Sequence, residues 1–160
     1  MKKLLVPVSL ALLLIIAMAG TVLAAPKANG PQLPLKGTLE SQETYVVNPP
    51  IMSVTASGSG NATQLGRYSI NYQFQVNLET IAGVGSAQFI AANGDRLYAE
   101  GTGQATPTDI PGIFNIIENF TITGGTGRFA GASGSVTLIR VVDTNTGVTS
   151  GTIDGYILLA

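Results

Sequence analysis

The chain has 160 residues, with eight Lys and Arg against nine Asp and Glu for a net charge of −1, and it contains neither His nor Cys. This length predicts one domain, and the missing residue types exclude Ser-His-Asp and Cys-His catalysis, histidine-ligated zinc and disulfides. The lack of a basic patch argues against nucleic acid as a partner. The sequence has no calcium-binding loop motif either, so we expect no metal and no other cofactor.

The N-terminus has the features of a secretory signal peptide. A positive start, Met1-Lys2-Lys3, is followed by an apolar run from Leu4 to Ile16 and then by Val22-Leu23-Ala24, which signal peptidase accepts. A transmembrane anchor is the alternative, but the run is shorter than the roughly 20 residues that span a bilayer. We therefore predict cleavage of residues 1–24 and an exported protein, secreted, periplasmic or on the cell surface, that is not held in the membrane.

The rest of the chain predicts an all-β domain. Residues 25–33 are rich in Pro, Gly and small side chains, as in a flexible leader, and leave 34–160 for the domain. Beyond the leader, apolar and polar residues alternate and no helical period is sustained. Turn residues divide this part into eight predicted strands, at about 35–46, 51–60, 66–78, 83–91, 96–105, 113–123, 133–142 and 148–158.

The alternation is clearest in the third predicted strand. Its apolar face has Tyr68, Ile70, Tyr72, Phe74, Val76 and Leu78, and its polar face has Ser69, Asn71, Gln73, Gln75 and Asn77. Successive strand side chains point to opposite faces, so one face is dry and the other wet. We interpret the polar face as solvated. Binding of a glycan or of a neighbouring subunit is the alternative.

Eight consecutive antiparallel strands can stack as a sandwich or close into a barrel, which leaves no exposed edge. A Greek-key sandwich needs long crossover connections, and only 106–112 is longer than a tight turn. Asn93-Gly94 is the strongest hairpin signal and predicts a type I′ turn. We therefore predict an eight-stranded antiparallel up-and-down β-barrel preceded by a cleavable signal peptide.

A glycine-rich stretch, TITGGTGRFAGASGSV, occupies residues 121–136. A phosphate-binding loop would lead into a helix, but residues 133–142 have the pattern of a strand. We interpret the stretch as a turn with a bulge, in which glycines adopt positive φ and let backbone segments pack closely. Phe129 is expected to plug one end of the barrel, and Arg128 to face solvent or cap the turn. The structural turn residues are Gly124, Gly125, Gly127, Arg128 and Phe129.

Residues 120–134 resemble the G-G-T/S-G-x-F-x-x-A/V-x-G turn of allene oxide cyclases and dirigent proteins, which share an eight-stranded antiparallel barrel. The chain is also similar to uncharacterised exported bacterial proteins with that barrel, through Leu65-Gly66-Arg67-Tyr68, 91–95 and Thr106-Pro107-Thr108. Allene oxide cyclases cyclise a fatty-acid epoxide in an apolar lumen, dirigent proteins steer phenoxy-radical coupling, and both are oligomers. No lumen residue matches theirs position by position, so the resemblance implies the fold and not either activity.

Glu118 is the strongest candidate for a functional side chain. The even-numbered positions from 114 to 122 are otherwise apolar, and a carboxylate on a dry face is costly unless it is paired. Such groups often have a function, although a place near the barrel mouth or a structural ion pair is the alternative. Arg140 on the next strand is the candidate partner. Its side chain points inward if the even-numbered residues of 136–142 do, and outward if the odd-numbered ones do.

Three further side chains complete the candidate lumen site. Glu43 shares a face with Leu35, Leu39 and Tyr45, which makes it a second candidate lumen carboxylate. Tyr72 and Phe74 lie among the inward aromatic residues, where Tyr72 can offer a hydroxyl to a ligand. A purely structural core is the alternative. The ligand-binding candidates are Glu118, Arg140, Glu43, Tyr72 and Phe74.

These features favour an exported small β-barrel whose lumen binds a small apolar ligand, since an eight-stranded barrel has room for one. The first alternative is a non-catalytic structural or interaction module that self-associates through an outer face into a homo-oligomer. The second is an isomerase or cyclase similar to allene oxide cyclase, with Glu118 as the candidate acid–base group. We lean against an enzyme, because no other catalytic motif is present.

Overall fold

A computed structural model describes residues 30–160, which form a closed barrel of eight strands. The predicted signal peptide (1–24) and most of the predicted leader (25–33) lie outside the described residues. Gln32 and Leu33, at the end of the predicted leader, belong to the first strand. The strands are β1 (Gln32–Asn48), β2 (Ile51–Ala62), β3 (Gly66–Asn77), β4 (Ala82–Ile90), β5 (Arg96–Pro107), β6 (Ile113–Gly125), β7 (Ser133–Asp143) and β8 (Val148–Leu158).

Every strand pairs antiparallel with its neighbours in sequence, and β1 pairs with β8 to close the barrel. The closing register runs from Gln32 opposite Leu158 to Gln42 opposite Val148. The predicted up-and-down barrel is therefore confirmed and the sandwich is excluded. Closure removes the unpaired edges that a cysteine-free sheet would otherwise expose to association with other chains. Between residues 30 and 160 there is no helix of the length and apolarity needed to cross a membrane.

The alternation of side chains decides which residues fill the lumen. In β3, Tyr68, Ile70, Tyr72 and Phe74 are buried, and the Ser, Asn and Gln residues between them are exposed. Full burial of one large apolar side chain contributes about 1.5–3 kcal/mol, so these inward rows are the main source of stability. The predicted dry and wet faces of this strand are the inside and the outside of the barrel.

The glycine stretch lies at one end of the barrel and contains a β-bulge. Tyr98 pairs with Gly124 while Ala99 pairs with Ile122, so Thr123 is the extra residue of a β-bulge. Gly124, with φ of 142°, adopts a conformation there that side-chain-bearing residues rarely do.

A single 3-10 turn, Gly127–Phe129, follows the bulge. This short helix was not predicted, because three residues are too few to show a helical period. Phe129 has no exposed surface and plugs the end of the lumen. Arg128 is exposed, and its Cζ lies 4.7 Å from the centre of the Phe129 ring. The plug is further held by Asp95 Oδ2, which accepts a hydrogen bond from the Arg128 N–H at 3.1 Å.

The hairpin between β4 and β5 forms where it was predicted, but the type I′ assignment is wrong. Gly94 has a φ of 87°, whereas Asn93 does not have the positive φ that this turn type requires. The Gly94 N–H donates to the carbonyl of Ala91 at 2.9 Å, and the Ala91 N–H donates to the carbonyl of Asp95 at 2.8 Å. The loop is therefore a type I turn followed by one left-handed glycine.

Candidate functional site

The half of the lumen opposite the Phe129 plug contains a cavity of about 280 Å³. This volume is roughly twice that of an engineered cavity of about 150 Å³ that binds benzene. Its walls come from seven of the eight strands and from the β3–β4 and β7–β8 turns. The apolar lining residues are Met52, Val54, Phe74, Val76, Leu78, Ile81, Ala105, Phe114, Ile116 and Val142, and the polar ones include Glu43, Tyr45, Glu118, Arg140 and Thr144.

An ion pair between Arg140 and Glu118 forms the charged part of the cavity wall. Arg140 Nε donates to Glu118 Oε2 at 3.0 Å, and its Nη2 donates to Glu118 Oε1 at 2.8 Å. The two residues are diagonal neighbours, since Glu118 lies opposite Leu138 and Arg140 lies opposite Ile116. This two-point contact fixes the plane of the guanidinium group as well as its position.

Glu43 joins the same cluster from the opposite side. Its Oε1 accepts hydrogen bonds from Arg140 Nη1 and from the Tyr72 hydroxyl, the latter at 2.7 Å, and its Oε2 accepts from the Tyr45 hydroxyl at 2.8 Å. Arg140 Nη1 also donates to Thr149 Oγ1 at 3.2 Å. Strands β1, β3, β6, β7 and β8, far apart in sequence, therefore meet in one hydrogen-bonded network.

Burial sets the protonation behaviour of this network. Burial opposes the charge of Arg140, but the hydrogen bonds and charge of Glu118 outweigh it and raise the pKa of Arg140 above its ordinary value. Burial also raises the pKa of the Tyr72 hydroxyl, with a further contribution from the nearby charge of Glu43. The guanidinium group is therefore a permanent cation, and the tyrosine remains a neutral hydrogen-bond donor at physiological pH.

Small residues on β5 and β8 make room for the charged cluster. A Cβ placed on Gly103 would lie 2.9 Å from Cγ of Glu118, and one on Gly151 would lie 2.5 Å from Cβ of Arg140. Carbon atoms attract at about 3.5–4.0 Å, so a larger residue at position 103 would displace Glu118, and one at position 151 would push against the β7 backbone at Ile139 and Arg140. The inward glycines are therefore part of the site.

The rim of the cavity carries a strained residue. Ile81, in the β3–β4 turn, has a φ of 50°, which is a genuine outlier for a β-branched side chain. Its backbone is held on both sides, because its N–H donates to the carbonyl of Asn77 at 2.8 Å and its carbonyl accepts from the Ala105 N–H at 3.0 Å. The strained turn places an isoleucine side chain in the lining of the cavity.

The structure brings all five candidate lumen residues together. Glu118, Arg140, Glu43 and Phe74 line the cavity, and Tyr72 binds Glu43 directly behind it. Arg140 points inward, which settles the orientation that its sequence left open, and the odd-numbered residues Ile139 and Val141 lie on the outside. The glycine turn lies at the other end of the barrel and takes no part in the site.

Three members of the network were not singled out from the sequence. Ser41, whose Oγ lies 2.9 Å from the Tyr72 hydroxyl oxygen, and Tyr45 both have the parity of Glu43 on β1. Thr149 has the inward parity of β8. The alternation of side chains along each strand could therefore have identified all three as inward polar residues. It could not have identified their partners, because those depend on the register between distant strands.

Two of the hollows outside the barrel, with volumes of about 510 and 720 Å³, are larger than the lumen cavity. Half of the residues that line each hollow are Ser, Thr, Asn or Gln, and most of these lie on β3, β4 and β5. Neither contains a buried ion pair, and both are shallow grooves over the sheet. Within residues 30–160, no group of three or more Asp and Glu residues is placed to hold a metal ion.

Comparison with known proteins identifies the class of fold. No protein-family model matches the chain. No curated protein is significantly similar to it either. Among solved structures the chain is similar to the pterocarpan synthase dirigent protein GePTS1, with a TM-score of 0.58 and 16% sequence identity over 88% of this chain and 94% of that one. The protein therefore has a dirigent-like β-barrel, and at this identity the likeness extends to the fold alone.

Proposed function

We propose that this protein is an exported β-barrel that binds a small apolar molecule in the open half of its lumen. The observation that carries the proposal is the cavity of about 280 Å³, whose wall is mostly aliphatic and aromatic but contains a buried, hydrogen-bonded ion cluster. Ligand sites combine these two features, because apolar walls provide affinity and a few fixed polar groups provide orientation. The dirigent-like fold supports the same function.

Binding is tested by filling the cavity from the inside. Ala105 lines it, and Thr106, the next residue along β5, is exposed on the outer face. We expect Ala105→Phe to weaken binding of small aromatic probes at least tenfold, as followed by ligand-observed NMR, and Thr106→Phe to leave it unchanged. Equal effects of the two variants, or no binding by the wild-type protein, would count against a lumen site.

Export and occupancy are tested together on protein purified from its own host. We expect native mass spectrometry to show a chain that begins at Ala25 and carries a non-covalent small molecule. A chain that keeps residues 1–24 would contradict cleavage of the predicted signal peptide. Apo protein alone, under conditions that preserve weak complexes, would contradict the ligand.

Self-association is a second candidate function, favoured by an apolar patch on the outer face. Ile117 and Ile139 are directly opposite each other on β6 and β7, Val141 follows on the same face, and all three are about half exposed. Contiguous exposed apolar residues of this kind often mark contacts between proteins. We expect sedimentation to show an oligomer that Ile139→Lys dissociates. A monomeric wild-type protein would rule out this candidate.

The contacts of Glu118 do not favour a catalytic role for its carboxylate. Both of its oxygens accept hydrogen bonds from Arg140, which commits the carboxylate to an ion pair. A general acid or base has to exchange a proton with its substrate, and a strong ion pair opposes that exchange.

A further inference from the structure

The charge of the lumen cluster is unbalanced. Glu43, Glu118 and Arg140 are all at least 96% buried, and together they comprise two acidic side chains and one basic one. The other basic residues of the described chain, Lys36, Arg67, Arg96 and Arg128, are exposed and lie outside the lumen. With both carboxylates ionised the cluster has a formal charge of −1, and an uncompensated buried charge is costly.

The cluster also has more acceptor positions than donors. Arg140 commits four of its five N–H groups, two to Glu118, one to Glu43 and one to Thr149. Glu118 accepts hydrogen bonds only from Arg140 among residues 30–160, although a carboxylate can accept about four. Glu118 also lines the cavity, so a ligand there would be next to a carboxylate with unused acceptor capacity.

The remaining wall suits a cation with an apolar body. Tyr45, Phe74 and Phe114 line the cavity together with Glu118. Aromatic rings attract cations through the negative face of the ring, and this attraction grows when water is excluded. A ligand carboxylate, by contrast, would meet two like charges and an arginine with four of its five N–H groups already committed.

We propose that the ligand is a small apolar amine, whose ammonium group lies against Glu118 and whose body, one or two rings in size, fills the aliphatic and aromatic part of the cavity. This inference rests on the proposed lumen function and specifies its ligand. The ammonium group supplies the missing positive charge and donates to the unused acceptor positions of Glu118. The expected order of affinity for one skeleton is amine, then alcohol, then carboxylate.

The test uses two matched probe series, 2-phenylethylamine, 2-phenylethanol and phenylacetate, and their naphthyl equivalents. Isothermal titration at pH 7 with the wild-type protein should show the amine binding at least tenfold tighter than the alcohol, and the carboxylate at least tenfold weaker than the alcohol. The ranking needs no variant, so it does not depend on whether a substitution folds.

A variant then identifies the group that recognises the amine. Glu118→Gln keeps the shape of the side chain and balances the cluster at zero charge. The amine should lose at least tenfold in affinity, while the alcohol stays within about threefold, with the fold checked by near-ultraviolet circular dichroism. An alcohol or carboxylate that binds as tightly as the amine would overturn the inference and leave the lumen function standing. Absence of binding by every probe would count against the lumen function itself.

Discussion

The two halves of the lumen follow the same alternation, and yet one is solid and the other is hollow. At the closed end Phe129, Phe89, Leu97 and Ile157 are fully buried and fill the space between the strands. At the open end the inward positions of β4 and β5 carry small residues, Gly83, Gly103 and Ala105, and a cavity lies beside them. Side-chain volume at equivalent inward positions, and not strand order, therefore decides where the barrel is hollow.

Truncation of an aromatic residue in each half gives the largest contrast. Phe129→Ala should lower the free energy of unfolding by about 3–5 kcal/mol, because it empties a fully packed site. Phe114→Ala should cost only about 1 kcal/mol, because Phe114 is partly exposed and already borders the cavity. Urea denaturation at equilibrium measures both. Equal losses would show that the two halves are packed alike.

Removal of the central cation tests the ion cluster between the two halves. Arg140→Met should cost about 3 kcal/mol in urea, because it leaves Glu43 and Glu118 buried without their cation. Replacing all three residues by Met should recover most of that loss, since a well-packed apolar set has no charge to desolvate. A triple variant no more stable than Arg140→Met would mean that the cluster is needed for folding.

High pH should lower the free energy of unfolding through ionisation of the Tyr72 hydroxyl. Burial raises the pKa of this hydroxyl above its ordinary value of 10.0, so the folded protein holds a proton that the unfolded chain releases. The contribution of this hydroxyl to stability is therefore constant below about pH 10 and falls above it. Between pH 10 and 11, Tyr72→Phe should lose about 1 kcal/mol less stability than the wild type. Parallel curves for the two proteins would contradict the burial of the hydroxyl.

Substitution of the strained residue Ile81 at the cavity rim should give the smallest change in stability. Ile81→Gly removes a strain of roughly 1–2 kcal/mol, and it loses a comparable amount of partly buried apolar surface. We expect the urea midpoint to stay close to that of the wild type while probe binding weakens several-fold. Val84→Gly, at an exposed position of β4 with no such strain, is the control and should simply destabilise. A large loss of stability in Ile81→Gly would argue that the turn is relaxed.

The sequence predicted the barrel well because the physical signal is local. The alternation in β3 and the turn residues between strands place each side chain inside or outside without knowledge of any partner. The glycine turn could likewise be assigned, since no helix follows it, although its short 3-10 turn could not. The type I′ assignment failed because a left-handed glycine also follows a type I turn, as at Gly94.

Only part of the candidate site could be predicted from such local patterns. Glu118 and Glu43 could be found because a carboxylate breaks an apolar row, and both are buried. The inward face of Arg140 could not be assigned, because both faces of β7 are rich in apolar residues. The contact between Glu43 and Arg140 joins residues 97 positions apart and depends on the closure of β1 against β8. The cavity depends on summed side-chain volumes, which no local pattern reports.

The measurement that tests the division of the lumen most directly is a crystal structure determined under xenon pressure. Xenon enters apolar cavities and reports their position without the need for a chosen ligand. We expect xenon between Phe74, Ile116 and Val142 in the open half, and none around Phe129. Xenon at the closed end, or an open half filled by its own side chains, would contradict the division of the lumen into a packed half and a half with a ligand-sized cavity.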